Sequence, residues 1–252
     1  MRTDDLSDAC SVLGDILHSR SQLEQARKCF PVSLRADPHC ARAHSNFSLT
    51  LAYLLSVERV LEHSGAALAL LADSLGVWNQ RLCALTYHPD LKGAQIVSAF
   101  VRRRARFLAP TTDFSRHDRT AGLRLRIGCV SPDFQRHTSR FYFTPLLSHH
   151  ARDNFELVGY SNVKIEDEFT YLLKAACDHW RPIRHSDDAV VTRLVRGDGA
   201  DVLVDCCNQM EVNRLDIFIL ALAPIRAMWL GAAWTTDLKT INYMLSDLCM
   251  AP

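Results

Sequence analysis

Apolar residues recur three and four positions apart through roughly the first hundred residues, then give way to short, nearly continuous apolar runs. The first rhythm is that of amphipathic helices; the second is that of strands buried on both faces. Within the helical part the pattern repeats. Leu17, Leu51 and Leu85 are spaced by 34, as are Leu13 and Phe47, Gly14 and Ser48, and Ala26 and Val60. A period of that length describes stacked pairs of helices, with small residues where the helices approach closely and large ones in the gaps.

Thirty-four residues is the tetratricopeptide spacing. The first unit, LGDILHSRSQLEQARKCFPVSLRADP, carries Leu13, Gly14, Leu17, Ala26, Phe30 and Pro38 where that repeat requires them. The second, from Ala41, has Val60 at the small position and Ala72 in place of the proline. A third opens near Leu75 with Trp78 and Leu85 and turns off at YHPD, Tyr87 to Asp90. About two and a half repeats are close to the minimum for a shared core, and a helix from Leu91 to Phe107 is expected to cap them. Pro31 falls inside a predicted helix, where it costs about 3 kcal/mol unless the helix bends.

APTTDFSRHDRTAG, residues 109 to 122, lacks apolar periodicity and reads as a linker. The expected domains are therefore helical repeats over 1–90, a capping helix and linker over 91–122, and an α/β lobe over 123–252. In that lobe strands are predicted at 125–130, 155–161, 201–205 and 225–230, with a weaker one at 180–183. Helices are predicted near 140–150, 166–177, 187–197 and 213–222. The alternation predicts a parallel sheet covered on both faces, a Rossmann-like layout.

Composition narrows the partners. Lys plus Arg number 29 against 28 Asp plus Glu, so no global field selects nucleic acid, and the RRRAR cluster at Arg102–Arg106 reads as a solvated helix face. The longest apolar stretch, Ser64 to Val77, is broken by Asp73 and too short to span a bilayer, so no membrane partner is expected. Nine scattered cysteines without a C-x-x-C pair, behind no signal-like start, read as reduced thiols of a cytoplasmic protein.

In a parallel sheet the loops after the strands emerge on one edge, where ligands of open α/β folds bind. Three such loops hold candidate chemistry: SPDFQRH with Asp133 and His137, CCNQM from Cys206 to Met210, and GAAWTT from Gly231 to Thr236. His137 is either a polar loop residue or an imidazole held at the mouth of a site. Asp133 reads first as a loop tie and Cys206–Cys207 as packing, since nothing basic nearby lowers a thiol pKa. Asn213 reads as an N-cap and Trp229 as core, while His149 and His150 suit a helix end and need no metal. No G-x-G-x-x-G follows the first strand, which argues against a dinucleotide-dependent oxidoreductase.

The helical repeats followed by LTYHPDL, FLAP, LRIGCVSPDFQRH, YSNV, DHWRPI, LVDCCNQMEVNRL and LAPIRAMWLG resemble the O-linked N-acetylglucosamine transferase family, above all its bacterial members. The resemblance spans nearly the whole chain and rests on the order and spacing of the blocks. It implies tetratricopeptide repeats ahead of a two-lobed GT-B catalytic region of glycosyltransferase family 41, of which this chain holds the first lobe. The implied activity is transfer of N-acetylglucosamine from UDP-N-acetylglucosamine to serine or threonine hydroxyls, with inversion and without a metal or other cofactor. The acceptor would be a protein or peptide engaged through the helical repeats. By resemblance His137 matches the family's active-site histidine, and imidazole is suited to take a hydroxyl proton near neutral pH. Asp133, Asn208, Gln209, Arg214, Thr235 and Thr236 fall at positions that would line the substrate cleft.

The chain also departs from the family. Where relatives read leucine, small residue, glycine, histidine, threonine, it has Cys206, Cys207, Asn208, Gln209 and Met210. Asparagine is the next best residue to glycine for a positive φ, so the turn is expected to persist without the family's side chains. After WLG the family's tyrosine, proline and two glycines give way to Ala232, Ala233, Trp234 and Asp237, and an aspartate becomes Asn242. The sequence stops at Pro252, just past one lobe, so the chain alone is expected to be inactive; the competing expectation is a repeat-containing binding module without catalysis.

Overall fold

The computed structural model describes residues 3–107, 112–115, 117, 120, 122–210, 212–231 and 235–246. The chain divides into two compact units, Met1–Arg106 and Phe107–Pro252. The first is built from α1 (Thr3–Ser19), α2 (Leu23–Ala36), α3 (Ala41–Tyr53), α4 (Val57–Leu70), α5 (Leu75–Thr86) and α6 (Gly93–Arg106). Ala26, Phe30, Ala43, Phe47, Leu51, Val60 and Ala84 form a core in which Ala26, Phe47, Leu51 and Val60 of the 34-residue period meet. Phe30 stacks on Phe47 with ring centroids 5.4 Å apart. Its other side lies against Gly14, where an added Cβ would come within 2.6 Å of the ring.

α2 continues through Pro31 to Ala36. The proline forfeits the hydrogen bond to the Arg27 carbonyl, but Phe30 and Ser33 on either side of it are fully buried, and Ser33 Oγ donates to the Ser7 carbonyl of α1 at 2.8 Å. Tertiary packing outweighs the local penalty.

His63 of α4 is buried against His44, Nδ1 to Nδ1 3.0 Å, and against the Phe47 ring at 4.5 Å. Burial lowers its pKa, with His44 and Arg59 adding to the effect and Glu62 opposing it. The folded state therefore resists a proton that the unfolded chain accepts below about pH 6.5. The stability that His63 contributes to the helical unit is expected to be complete above that pH and to be lost as the medium is acidified, read in the thermal midpoint of the 222 nm signal. His63→Gln should flatten this dependence.

The second unit contains a six-stranded sheet in the order β3-β2-β1-β4-β5-β6, parallel throughout. Its strands are β1 (Leu125–Ser131), β2 (Phe155–Ser161), β3 (His179–Pro182), β4 (Val202–Asp205), β5 (Ile225–Met228) and β6 (Tyr243–Met244). Four helices alternate with them: α7 (Arg140–His149), α8 (Glu168–Ala176), α9 (Asp188–Asp198) and α10 (Leu215–Ile219). Neighbouring strand residues go to different cores: Val130, Val158 and Leu203 to one, Cys129, Leu157 and Val204 to the other. That alternation places a packed layer on each face of the sheet, and explains why the strands read as continuous apolar runs.

Two elements differ from the sequence expectation. α10 is only five residues long, and the two-residue β6 has too few positions to show any period. The eight described cysteines are all free thiols. Among the described residues no helix is long and apolar enough to cross a membrane.

A candidate active site at the carboxyl edge of the sheet

Parallel strands bring the loops after β1, β4 and β5 to one edge. The first is anchored from beneath. Phe134 is fully buried, 5.0 Å from Phe143 and 5.3 Å from Trp180 between ring centroids, so the short segment after it is turned outward. That segment exposes His137. The His137 Nδ1 atom lies 3.7 Å from Asp133 Oδ2 and contacts Ser139 Oγ, while the Ser139 N–H approaches it at 3.3 Å. The Ser139 N–H donates to Nδ1 and so meets a lone pair there, while the Asp133 carboxylate stands close enough to stabilise a ring that carries both protons. Burial raises the Asp133 pKa, and the imidazole opposes that rise.

The second loop is organised by Asp205, the last residue of β4. Its carboxylate accepts from the Cys207 N–H at 3.2 Å and the Asn208 N–H at 2.9 Å. Burial pushes its pKa up to about 7, with the two N–H groups pulling in the opposite direction. Asn208 takes φ +56°, the left-handed conformation anticipated for it. Cys206 and Cys207 are buried and their thiols are held well above the ordinary range, Cys206 by its Cys129 partner and burial, Cys207 by burial and then Asp205 and Asp133. They are packing residues, as read. Because β1 and β4 are adjacent in the sheet, the first and second loops leave it side by side.

The third loop closes on the second. Gly231 has φ +76° and lies so near the Cys207–Asn208 turn that a Cβ would stand 2.3 Å from the Cys207 carbonyl oxygen. Gln209 Nε2 donates to the Thr235 carbonyl at 3.1 Å, while its buried Oε1 meets no partner among the described residues. Thr235 Oγ1 accepts from the Asp237 N–H at 3.0 Å, and the buried Thr236 hydroxyl accepts from the Leu238 N–H at 3.4 Å. Both threonine hydroxyls thus serve local turns. Ala232, Ala233 and Trp234 lie outside the described residues. Asn242 pairs with Arg226 across β5 and β6, its N–H donating to the Arg226 carbonyl at 2.8 Å.

Arg214 meets the edge through Asn162, its Nε donating to Asn162 Oδ1 at 3.4 Å. Its guanidinium binds Asp188 Oδ1 at 2.6 Å, the Ile183 carbonyl at 2.6 Å and the Ser186 carbonyl at 2.8 Å. Those bonds hold the connection between β3 and α9. Asn213 accepts from the Leu215 N–H at 3.1 Å, a capping contact at the start of α10.

Three residues passed over in the sequence complete the edge. Ser139 positions His137, Asp205 builds the Asn208 turn, and Asn162 ties strand ends together. The Asn162 N–H donates to the Ser131 carbonyl at 2.9 Å and its Nδ2 to the Val212 carbonyl at 2.6 Å. An acid closing an apolar strand was the visible signal for Asp205; Ser139 and Asn162 gave none. No group of three or more potential metal ligands occurs among the described residues.

Comparison with known proteins agrees with this architecture. The chain is 32% identical over 186 residues to the probable UDP-N-acetylglucosamine--peptide N-acetylglucosaminyltransferase SPINDLY of Oryza sativa subsp. japonica, covering 71% of this chain and 20% of that protein. The counterpart of the same name in Hordeum vulgare is 30% identical over 181 residues, with 69% and 19% covered. Among solved structures, a mutant of the O-GlcNAc transferase of Thermobaculum terrenum superposes with a TM-score of 0.85 at 28% identity, over 98% of this chain and 48% of that one. The chain therefore spans about a fifth of these curated relatives and about half of the solved transferase. Residues 101–252, which contain the whole sheet and the three loops at its edge, match the sequence model of glycosyl transferase family 41, and the chain belongs to that family.

Proposed function

We propose that residues 123–252 form the acceptor-side lobe of a GT-B transferase that moves N-acetylglucosamine from UDP-N-acetylglucosamine to serine or threonine hydroxyls of proteins, without a metal. The observation that carries this reading is His137, exposed on the carboxyl edge and backed by Asp133 and Ser139. The hydroxyl oxygen attacks the anomeric carbon, its proton passes to the His137 imidazole, and the electron pair of the breaking bond leaves with UDP. Asp133 stabilises the imidazolium so formed. The helical unit has a core of its own and offers the protein acceptor a docking surface, as tetratricopeptide repeats do. The free thiols suit a reducing compartment, the cytoplasm.

The donor nucleotide is assigned to a second lobe, so residues 1–252 by themselves do not turn over. Substrates that are not held together forgo the several kcal/mol that positioning contributes. Calorimetric titration of UDP into the chain is expected to give no micromolar binding, and micromolar heat would place a donor site in this lobe instead. Joined to the part of the Thermobaculum terrenum enzyme that it does not cover, the chain is expected to glycosylate a serine-containing peptide. His137→Ala in that fusion should slow transfer about 10²–10⁴-fold. Equal rates would remove the assignment of a base.

A further inference from the structure

Two arginines stand beside His137 on the carboxyl edge, and they are used differently. Arg136 is neutralised: its guanidinium bonds the Glu168 carboxylate, and its backbone N–H donates to Asp167 Oδ2 at 2.6 Å. Asp167 is further occupied by the Phe169 and Thr170 N–H groups, each at 3.0 Å, where it caps α8. Arg140 has no such partner. Its guanidinium carbon lies 4.7 Å from the Phe141 ring centre and 4.5 Å from that of Phe169, and among the described residues no oxygen accepts from its side-chain N–H groups.

Helix stability does not account for a cation at this place. Arg140 is the first residue of α7, where the positive end of the helix dipole disfavours it. Cation–π contact with two rings restrains the side chain without using its N–H groups, so a rigid fork of donors is set out for a planar anion. The position is also specific. The Arg140 N–H donates to the His137 carbonyl at 3.1 Å, so both residues belong to one turn. α7 follows β1 and α8 follows β2, neighbours in the parallel sheet, which brings Arg140 and Phe169 together at the starts of their helices.

We propose that Arg140 is an acceptor-specificity residue, binding the carboxylate of an aspartate or glutamate about two or three residues from the serine or threonine presented to His137. This rests on the reading of the edge as the acceptor side of a transferase. Side chains three apart in a turn are separated by about 5–6 Å and an extended peptide advances about 3.3 Å per residue, which sets the interval. A carboxylate matches the guanidinium fork with two parallel hydrogen bonds.

Fluorescence anisotropy of labelled serine peptides with the whole chain tests this without turnover. A peptide with glutamates on both sides of its serine is expected to bind roughly five- to tenfold more tightly than one with glutamines, and the ratio should shrink as salt rises from about 50 to 500 mM. Arg140→Gln should bring the ratio to one, and Arg140→Lys should keep part of it. Phe169→Leu, which removes a ring and keeps apolar volume, should lower it. Arg193→Gln, which takes the same charge from an exposed position of α9, should leave the ratio as in the wild type. Equal binding of the two peptides, no binding of either, or a ratio that survives Arg140→Gln would each overturn the proposal. So would displacement of the acidic peptide by UDP, which would assign Arg140 to the donor's diphosphate. A ratio that follows Arg140 while the fused enzyme transfers nothing would fault the transferase reading alone; transfer at equal KM to both peptides would fault this inference alone.

Discussion

Gly231→Ala is expected to destabilise the sheet unit by about 3–5 kcal/mol, through two additive causes. At φ +76° a side chain strains its own backbone by about 1–2 kcal/mol. The added Cβ would also stand 2.3 Å from the Cys207 carbonyl oxygen, 2.5 Å from its carbon and 2.9 Å from the Asn208 Cβ. The first two are backbone atoms, which no rotamer change can move, so the third loop must lift from the second at a cost of a further few kcal/mol. Chemical denaturation followed by tryptophan fluorescence measures the loss. Gly197→Ala is the control: nothing lies within 4 Å of its added Cβ and the residue sits inside α9, so it should be neutral or stabilising by up to about 1 kcal/mol. Equal midpoints for the two variants would mean that the loops are not in contact.

Asp205→Ala is the second large effect, expected at about 2–4 kcal/mol. The substitution leaves the Cys207 and Asn208 N–H groups without their acceptor inside the fold, at about 1–3 kcal/mol for each. Part of the loss is offset because the carboxylate itself is buried at a cost, which is why its pKa stands near 7. The sign of the pH dependence follows from that value. A carboxyl whose folded pKa lies above its unfolded value near 3.8 contributes stability that is complete below the unfolded value and is lost as pH rises through about 7. The denaturation midpoint of the sheet unit should therefore decline between pH 4 and pH 7, opposite in sign to the His63 contribution in the helical unit. Asp205→Asn should remove most of that slope and cost less than alanine, since it keeps one acceptor for the turn. A slope that persists in Asp205→Asn would assign it to another group.

The order of strands and helices was legible because the inner strands β1, β2, β4 and β5 are buried on both faces and the long helices on one, so hydrophobic rhythm and burial coincide. Phe155–Ser161 was placed to the residue on that basis. The left-handed turn at Asn208 was also legible, because the choice between glycine and asparagine is a local matter of φ. What escaped was decided by how the loops fold. Ser139 is an ordinary hydroxyl until the loop folds it onto His137, and Asn162 is an ordinary loop amide until Ser131 and Val212 arrive beside it. Arg214 illustrates the converse. Its match to the family suggested a cleft residue, and the folded chain shares its guanidinium among Asp188, two carbonyls of the β3–α9 connection and the Asn162 side chain at the edge. Pro31 broke a local rule that packing of Phe30 and Ser33 overrode.

The anchoring of the first loop through Phe134 has a consequence for how such a site can change. The imidazole at 137 takes its height above the sheet from a ring wedged between Phe143 and Trp180, three residues away along the chain. Altering the volume of either neighbour would raise or lower that ring and carry the histidine with it, leaving every group on the rim chemically intact. The reach of His137 from the rim can thus be tuned from the hydrophobic interior, by substitutions that leave the rim itself untouched.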